Sequence, residues 1–200
     1  MLVFLLGVKA VGKSKLTSEL NKCLDGKIHE ISYGDAMLEI GKEKNLITDR
    51  EQIAKLPSRQ QNEIRQAAAE KIRELANKEE FVFLNTHGYI YTIPYHTYLP
   101  GSPDSVSDLL RPDAILLVEA EAEAIIDRRK MDLERTGRQR EIGTESEIVD
   151  ALLFERMAAV HISMKYACDI KVFDNTLSVE ENAEEIQKLS GLFKSAVKIT

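Results

Sequence analysis

The chain opens Met1-Leu2-Val3-Phe4-Leu5-Leu6-Gly7-Val8-Lys9-Ala10-Val11-Gly12-Lys13-Ser14, and the fold class follows from how this stretch is read. An unbroken apolar run that ends at a glycine is what a parallel strand buried on both faces requires. The run is too short to cross a bilayer and carries neither a basic leader nor a cleavage site, so a buried strand is the better reading. Gly7 to Ser14 then spells GxxxxGKS, and a helix is expected from about Lys13 to Leu24, with Leu16, Leu20 and Leu24 on one face. Strand, glycine-rich loop and helix in that order form the setting in which this motif binds phosphate, which argues against a chance match. Glycines let the backbone approach a ligand closely. The loop N–H groups and the helix N-terminus are expected to wrap a nucleotide's β-phosphate, using Gly7, Val8, Lys9, Ala10, Val11, Gly12, Lys13, Ser14 and Lys15. Lys13 is expected to reach the β- and γ-phosphates and Ser14 to ligate Mg2+, with ATP as the co-substrate.

Working outward, further strands are expected at Lys27–Ser32, Phe81–Leu84, Ala114–Val118 and Ile170–Phe173. Helices are expected at Asp35–Lys44, from past Pro57 to Asn77, at Ala122–Leu133, Glu145–Tyr166 and Val179–Val197, with a helical turn around Asp49–Lys55. The helix after Glu145 is expected to bury Ile148, Val149, Leu152, Leu153, Met157 and Val160. Thr86–Pro103, rich in Tyr, Pro and Gly, reads as a long loop. Alternating strands and helices imply one α/β domain over 1–200, a three-layer sandwich around a mostly parallel sheet of the P-loop NTP hydrolase type.

The chain is 200 residues long with a formal net charge of -6, which argues against a stable nucleic-acid partner or an anionic membrane surface. Cys23 and Cys168 stand apart with no CxxC or Cys/His cluster, which fits thiols in a reducing cytoplasm and not a zinc site. The absence of an Asn-Lys-x-Asp motif disfavours a GTPase switch, and no second motor motif accompanies the phosphate loop. Between Asp127 and Glu141 lie Arg128, Arg129, Lys130, Arg135, Arg138 and Arg140, and further on Arg156 sits at the edge of an apolar stripe. Phosphoryl transfer needs cations over the γ-phosphate oxygens, so Arg128, Arg138, Arg140 and Arg156 join Lys13 as catalytic candidates, on a flap hinged at Gly137 and Gly143. A solvated charged face is the competing reading.

The order of phosphate loop, Tyr33-Gly34-Asp35-x-Met37, Asp49-Arg50, Thr86-His87, Tyr98-Leu99-Pro100-Gly101, Arg111-Pro112 and Asp127-Arg128 resembles the archaeal-type adenylate kinases over nearly the whole chain. The resemblance implies a nucleoside-monophosphate kinase with a five-stranded parallel sheet, an acceptor-binding segment over about 33–77 and a short lid over about 134–143. It also implies magnesium, reversible conversion of ATP and AMP to two ADP, and often a homotrimer. Tyr33, Gly34, Asp35, Arg50, Thr86 and His87 become the substrate-binding candidates. Two departures stand out. The family's third strand usually ends Asp-Thr-His, where this chain has Asn85-Thr86-His87, and Tyr91 stands before Thr92 where a basic residue is common. Asp35 also suits a helix cap and His87 a strand-end hydrogen bond; Tyr89, Tyr91, Tyr95 and Tyr98 suit either stacking on a base over the acceptor or a packed loop or subunit interface, and Asp174-Asn175 stands where such kinases often hold the adenine edge, with a simple turn as the competing reading.

Overall fold

The computed structural model describes residues 1–92, 97–136 and 142–197. Strand β1, Leu2–Leu6, is buried along its whole length and sends alternate side chains to opposite faces. Leu2, Phe4 and Leu6 enter one core, while Val3 and Leu5 enter the other. Each fully buried side chain of this kind contributes on the order of 2 kcal/mol. That double burial fixes β1 at the centre of the parallel sheet, with strand order β2-β3-β1-β6-β7. Its companions are β2 Ile28–Ser32, β3 Phe81–Asn85, β6 Ala114–Glu119 and β7 Asp169–Asp174. In register, Leu5 faces Asn85 of β3 and Leu116 of β6.

Helices cover both faces, as the alternation of elements demands. α1 (Lys13–Cys23), α5 (Ala122–Thr136) and α7 (Val179–Val197) close one side through Leu16, Leu20, Ile125, Leu189 and Phe193. α2 (Tyr33–Glu43), α3 (Ser58–Ala76), α4 (Asp104–Leu110) and α6 (Glu145–Tyr166) close the other through Ile40, Ile64, Ile72, Leu110 and Ile162. The expected turn near Asp49 is a 3-10 helix over Arg50–Lys55.

Two expectations need correction. Thr86–Pro103 is not a long loop: β4 (Tyr89–Thr92) and β5 (Thr97–Pro100) pair as an antiparallel hairpin, and α4 follows directly. Tyr89 and Tyr98 pack on Phe154 of α6, at ring-centroid distances of 5.5 and 4.1 Å, which anchors the hairpin to the body. The apolar stripe assigned to α6 is also out of phase. Ile148, Glu155, Ala158, Ala159 and Ile162 are buried, whereas Val149, Leu153, Met157 and Val160 face outward together with Met164. The helix is apolar on two sides, so composition alone could not say which side faces the sheet.

Candidate active site

The phosphate loop leaves β1 at the centre of the sheet and turns into α1, at the carboxyl ends of the strands where open α/β sheets bind ligands. Gly12 has φ 108°, a left-handed conformation, and a side chain there would overlap the Asn175 amide. Only glycine fits both demands. Asn175 braces the loop from outside, its Nδ2–H donating to the Val11 carbonyl at 2.7 Å. Arg128 donates to the Val11 carbonyl at 3.1 Å and to the Asn175 carbonyl at 2.8 Å. Burial pulls its pKa below the ordinary guanidinium value. Arg129 donates to the carbonyls of Lys9 at 3.3 Å and Ile142 at 2.8 Å. The loop's carbonyls are therefore held by side chains behind it.

Lys13 is only 8% exposed. Its ammonium folds back onto the loop, donating to the Gly7 carbonyl and, at 3.3 Å, to that of Val8. Burial lowers its pKa from 10.5 to about 8, opposed first by the Glu155 carboxylate and then by Glu30. Ser14 is exposed in the first turn of α1, and its hydroxyl makes no hydrogen bond to a described residue. Among the described residues no group of three or more His, Cys, Asp or Glu could hold a metal by itself. Mg2+ at phosphate sites usually takes one or two protein oxygens beside the substrate's own, and the exposed Ser14 hydroxyl would suit that habit.

The acceptor candidates fall into two groups, one after β3 and one after β2, on the same side of β1. Thr86 continues β3, its N–H donating to the Leu5 carbonyl at 3.2 Å. Its hydroxyl meets the Ser102 hydroxyl at 3.1 Å. His87 follows, and its Nδ1 lies 3.3 Å from Glu155 Oε1. Burial pushes the His87 pKa below its ordinary value, with the Glu155 hydrogen bond opposing and the charge of Lys13 assisting. Asn85 at the end of β3 donates to Glu30 Oε1 at 3.2 Å.

The second group sits at the N-terminus of α2. Ser32 caps the helix by accepting the Asp35 N–H at 3.3 Å, so the capping role weighed for Asp35 belongs to Ser32. Arg50 reaches back over the helix start, 3.7 Å from Asp35, and lies flat on Gly34, where any side chain would overlap its guanidinium. Tyr33 is buried in the core with its hydroxyl donating to the Arg65 carbonyl at 3.1 Å, and burial raises its pKa. A groove of about 600 Å3 lies apart from the phosphate loop, beside edge strand β2 and between Asp35 of α2 and Lys71 of α3.

Of the arginine candidates, Arg128 grips the phosphate loop and Arg156 is bound to Glu119 at the end of β6, through its Nε–H and through a second bond of 2.9 Å. Arg156 is exposed, not directed into the protein as the stripe suggested. Arg138, Arg140 and the hinge Gly137 lie outside the described residues, as do residues 137–141 of the expected lid, and so does Tyr95. Glu155 was missed by sequence reasoning, although Ile148, Glu155 and Ile162 recur every seven residues and place it on the buried stripe. Asn175, weighed as an adenine-edge residue or part of a turn, braces the loop through its side-chain amide. Among the described residues no helix is long and apolar enough to cross a membrane.

Comparison with known proteins agrees with this geometry. The family described as AAA domain matches residues 6–149. An adenylate kinase from Methanopyrus kandleri is 39% identical over 169 residues, covering 84% of this chain and 86% of the relative. One from Pyrococcus furiosus is 33% identical over 192 residues, 95% of each chain. Among solved structures, shikimate kinase from Acinetobacter baumannii in complex with shikimate has a TM-score of 0.57 at 15% identity, covering 98% of this chain and 93% of the other. Shikimate kinase from Bacteroides thetaiotaomicron has 0.52 at 18%, with 97% and 98% covered. At such identities the two structures speak for the P-loop kinase fold alone, whereas the archaeal matches run nearly end to end. The chain belongs to the adenylate kinase family.

Proposed function

We propose that the protein transfers the γ-phosphoryl group of ATP to AMP, giving two ADP, with magnesium. The observation that carries the reading is the braced phosphate loop with Lys13 buried beneath it, next to the Thr86–Gly88 turn that follows β3, the strand paired with β1. The archaeal relatives named adenylate kinase support AMP as acceptor. An oxygen of the acceptor phosphate attacks the γ-phosphorus, the bond to the β,γ-bridging oxygen breaks, and ADP leaves. The acceptor phosphate is already ionised near neutral pH, so no general base is required.

In this reading the loop N–H groups orient the β-phosphate, and Lys13 turns from the Gly7 and Val8 carbonyls to the β,γ-oxygens. Ser14 would hold a magnesium ion, which would supply further neutralisation of phosphate charge. Arg50, with Gly34 and Asp35 in the acceptor segment over about 33–77, and Thr86 with His87 after β3 receive the monophosphate. Arg138 and Arg140 close over the γ-phosphate from a lid over about 134–143. Arg128 acts by stiffening the loop, and Arg156 reaches the nucleotide only by leaving Glu119. The outward stripe of Val149, Leu153, Met157, Val160 and Met164, the last 81% exposed, is apolar enough to be covered by further copies of the chain, as the homotrimer implied by the family resemblance would require. We place the enzyme in the cytoplasm with no nucleic-acid or membrane partner. A coupled assay across nucleoside monophosphates with ATP and Mg2+ tests the acceptor: AMP should give the highest kcat/KM, and rapid turnover of another monophosphate with none of AMP would overturn the assignment.

A further inference from the structure

Glu155 is a carboxylate almost without access to water, 2% exposed, midway along α6. Such a group is costly to bury unless its oxygens are satisfied. Both oxygens face the turn after β3. Oε2 accepts the Gly88 N–H at 2.8 Å, and Oε1 faces His87 Nδ1. A side chain on Gly88 would overlap Ala158, so the turn rests directly on α6. The hairpin ties the same turn from its other side: Gly101 N–H donates to the Gly88 carbonyl at 2.9 Å, and the Ser102 hydroxyl donates to that of His87 at 3.3 Å. The neighbouring Arg156 holds Glu119 at the end of β6. Two consecutive residues of α6 thus grip the ends of the two strands that flank β1, and β1 runs straight into the phosphate loop.

We propose that Glu155 is a positioning residue for the acceptor, fixing the Thr86–Gly88 turn at a set distance from the phosphate loop. The proposal rests on the reading of that turn as part of the acceptor site. A carboxylate one methylene shorter cannot reach both the Gly88 N–H and His87. A glutamine of the same length still offers a carbonyl to Gly88, and His87 can meet its amide through the other tautomer. Steady-state kinetics with each substrate varied in turn separates this role from a purely structural one, which would lower stability without favouring one substrate. Glu155→Ala and Glu155→Asp should raise the AMP KM about tenfold, and Glu155→Asp, which keeps the negative charge felt by Lys13, should leave the ATP KM within about twofold, while Glu155→Gln keeps the AMP KM within about threefold of wild type. Where Glu155→Ala does not fold, Glu155→Asp against Glu155→Gln carries the same comparison. An unchanged AMP KM in Glu155→Asp, or equal rises for both substrates, overturns the positioning role while wild-type activity leaves the acceptor reading intact. A wild-type enzyme indifferent to AMP overturns both.

Discussion

Replacing Lys13 by methionine should remove a pH-dependent cost of folding while cutting turnover by orders of magnitude. Burial takes the Lys13 pKa from 10.5 to about 8. At about 1.4 kcal/mol per tenfold change in proton affinity, that fall is worth about 3 kcal/mol of folded-state cost. The sign follows from proton linkage. Below about pH 8 both folded and unfolded chains carry the proton, and the folded state bears the full cost. Between about pH 8 and about pH 10.5 the folded state has released it while the unfolded chain has not, so stability rises with pH, and above that range the cost is gone. Lys13→Met also loses the hydrogen bonds to the Gly7 and Val8 carbonyls, a loss that depends little on pH. The difference between the two proteins therefore isolates the ammonium. Urea melts in EDTA without nucleotide should show wild type gaining about 3 kcal/mol on Lys13→Met between about pH 7 and about pH 10.5. Turnover of the variant should fall by about three orders of magnitude, because the cation over the transferred phosphoryl group is gone. A stability difference flat in pH would refute the account of Lys13 as a buried charge, and near-native turnover would refute its role.

Two further outcomes follow from the acceptor side. In Gly34→Ala the new methyl displaces the Arg50 guanidinium, which is half exposed and free to swing away; the AMP KM should rise about fivefold with little change in the ATP KM or in Tm, as read by initial rates and a thermal melt. Asn85→Asp puts a carboxylate where Asn85 now donates to Glu30. Like charges so placed should cost about 1 kcal/mol near neutral pH, a penalty that fades in acid as one carboxyl takes a proton, and urea melts over pH check it. The same variant should reach half-maximal velocity at a lower Mg2+ concentration than wild type.

The residues differ in how much they disclose without coordinates. Met1–Ser14 determined the central strand, the loop and the first helix, because double burial and the phosphate motif admit few structures. The hairpin within Thr86–Pro103 escaped notice because its strands are only four residues each and hold to the body through aromatic contacts on Phe154. α6 was found as a helix but turned the wrong way, since Val149, Leu153 and Met157 are as apolar as the residues that face the sheet. That error hid Glu155. It also gave Arg156 an inward place, when its partner Glu119 is distant in sequence and close only once β6 and α6 pack. The arginines of α5 were legible as cations near phosphate; that Arg128 would spend its donors on loop carbonyls depends on the position of Asn175, which no local pattern encodes.

The central claim is that this fold moves a phosphoryl group from ATP to a second nucleotide and not to water. ATP labelled with 32P at the γ position, incubated with AMP, Mg2+ and the protein, tests it most directly. The account predicts label in the β position of newly formed ADP, one for each AMP consumed, with almost none in inorganic phosphate. Label released chiefly as inorganic phosphate, or ATP left intact in the presence of AMP, would contradict it.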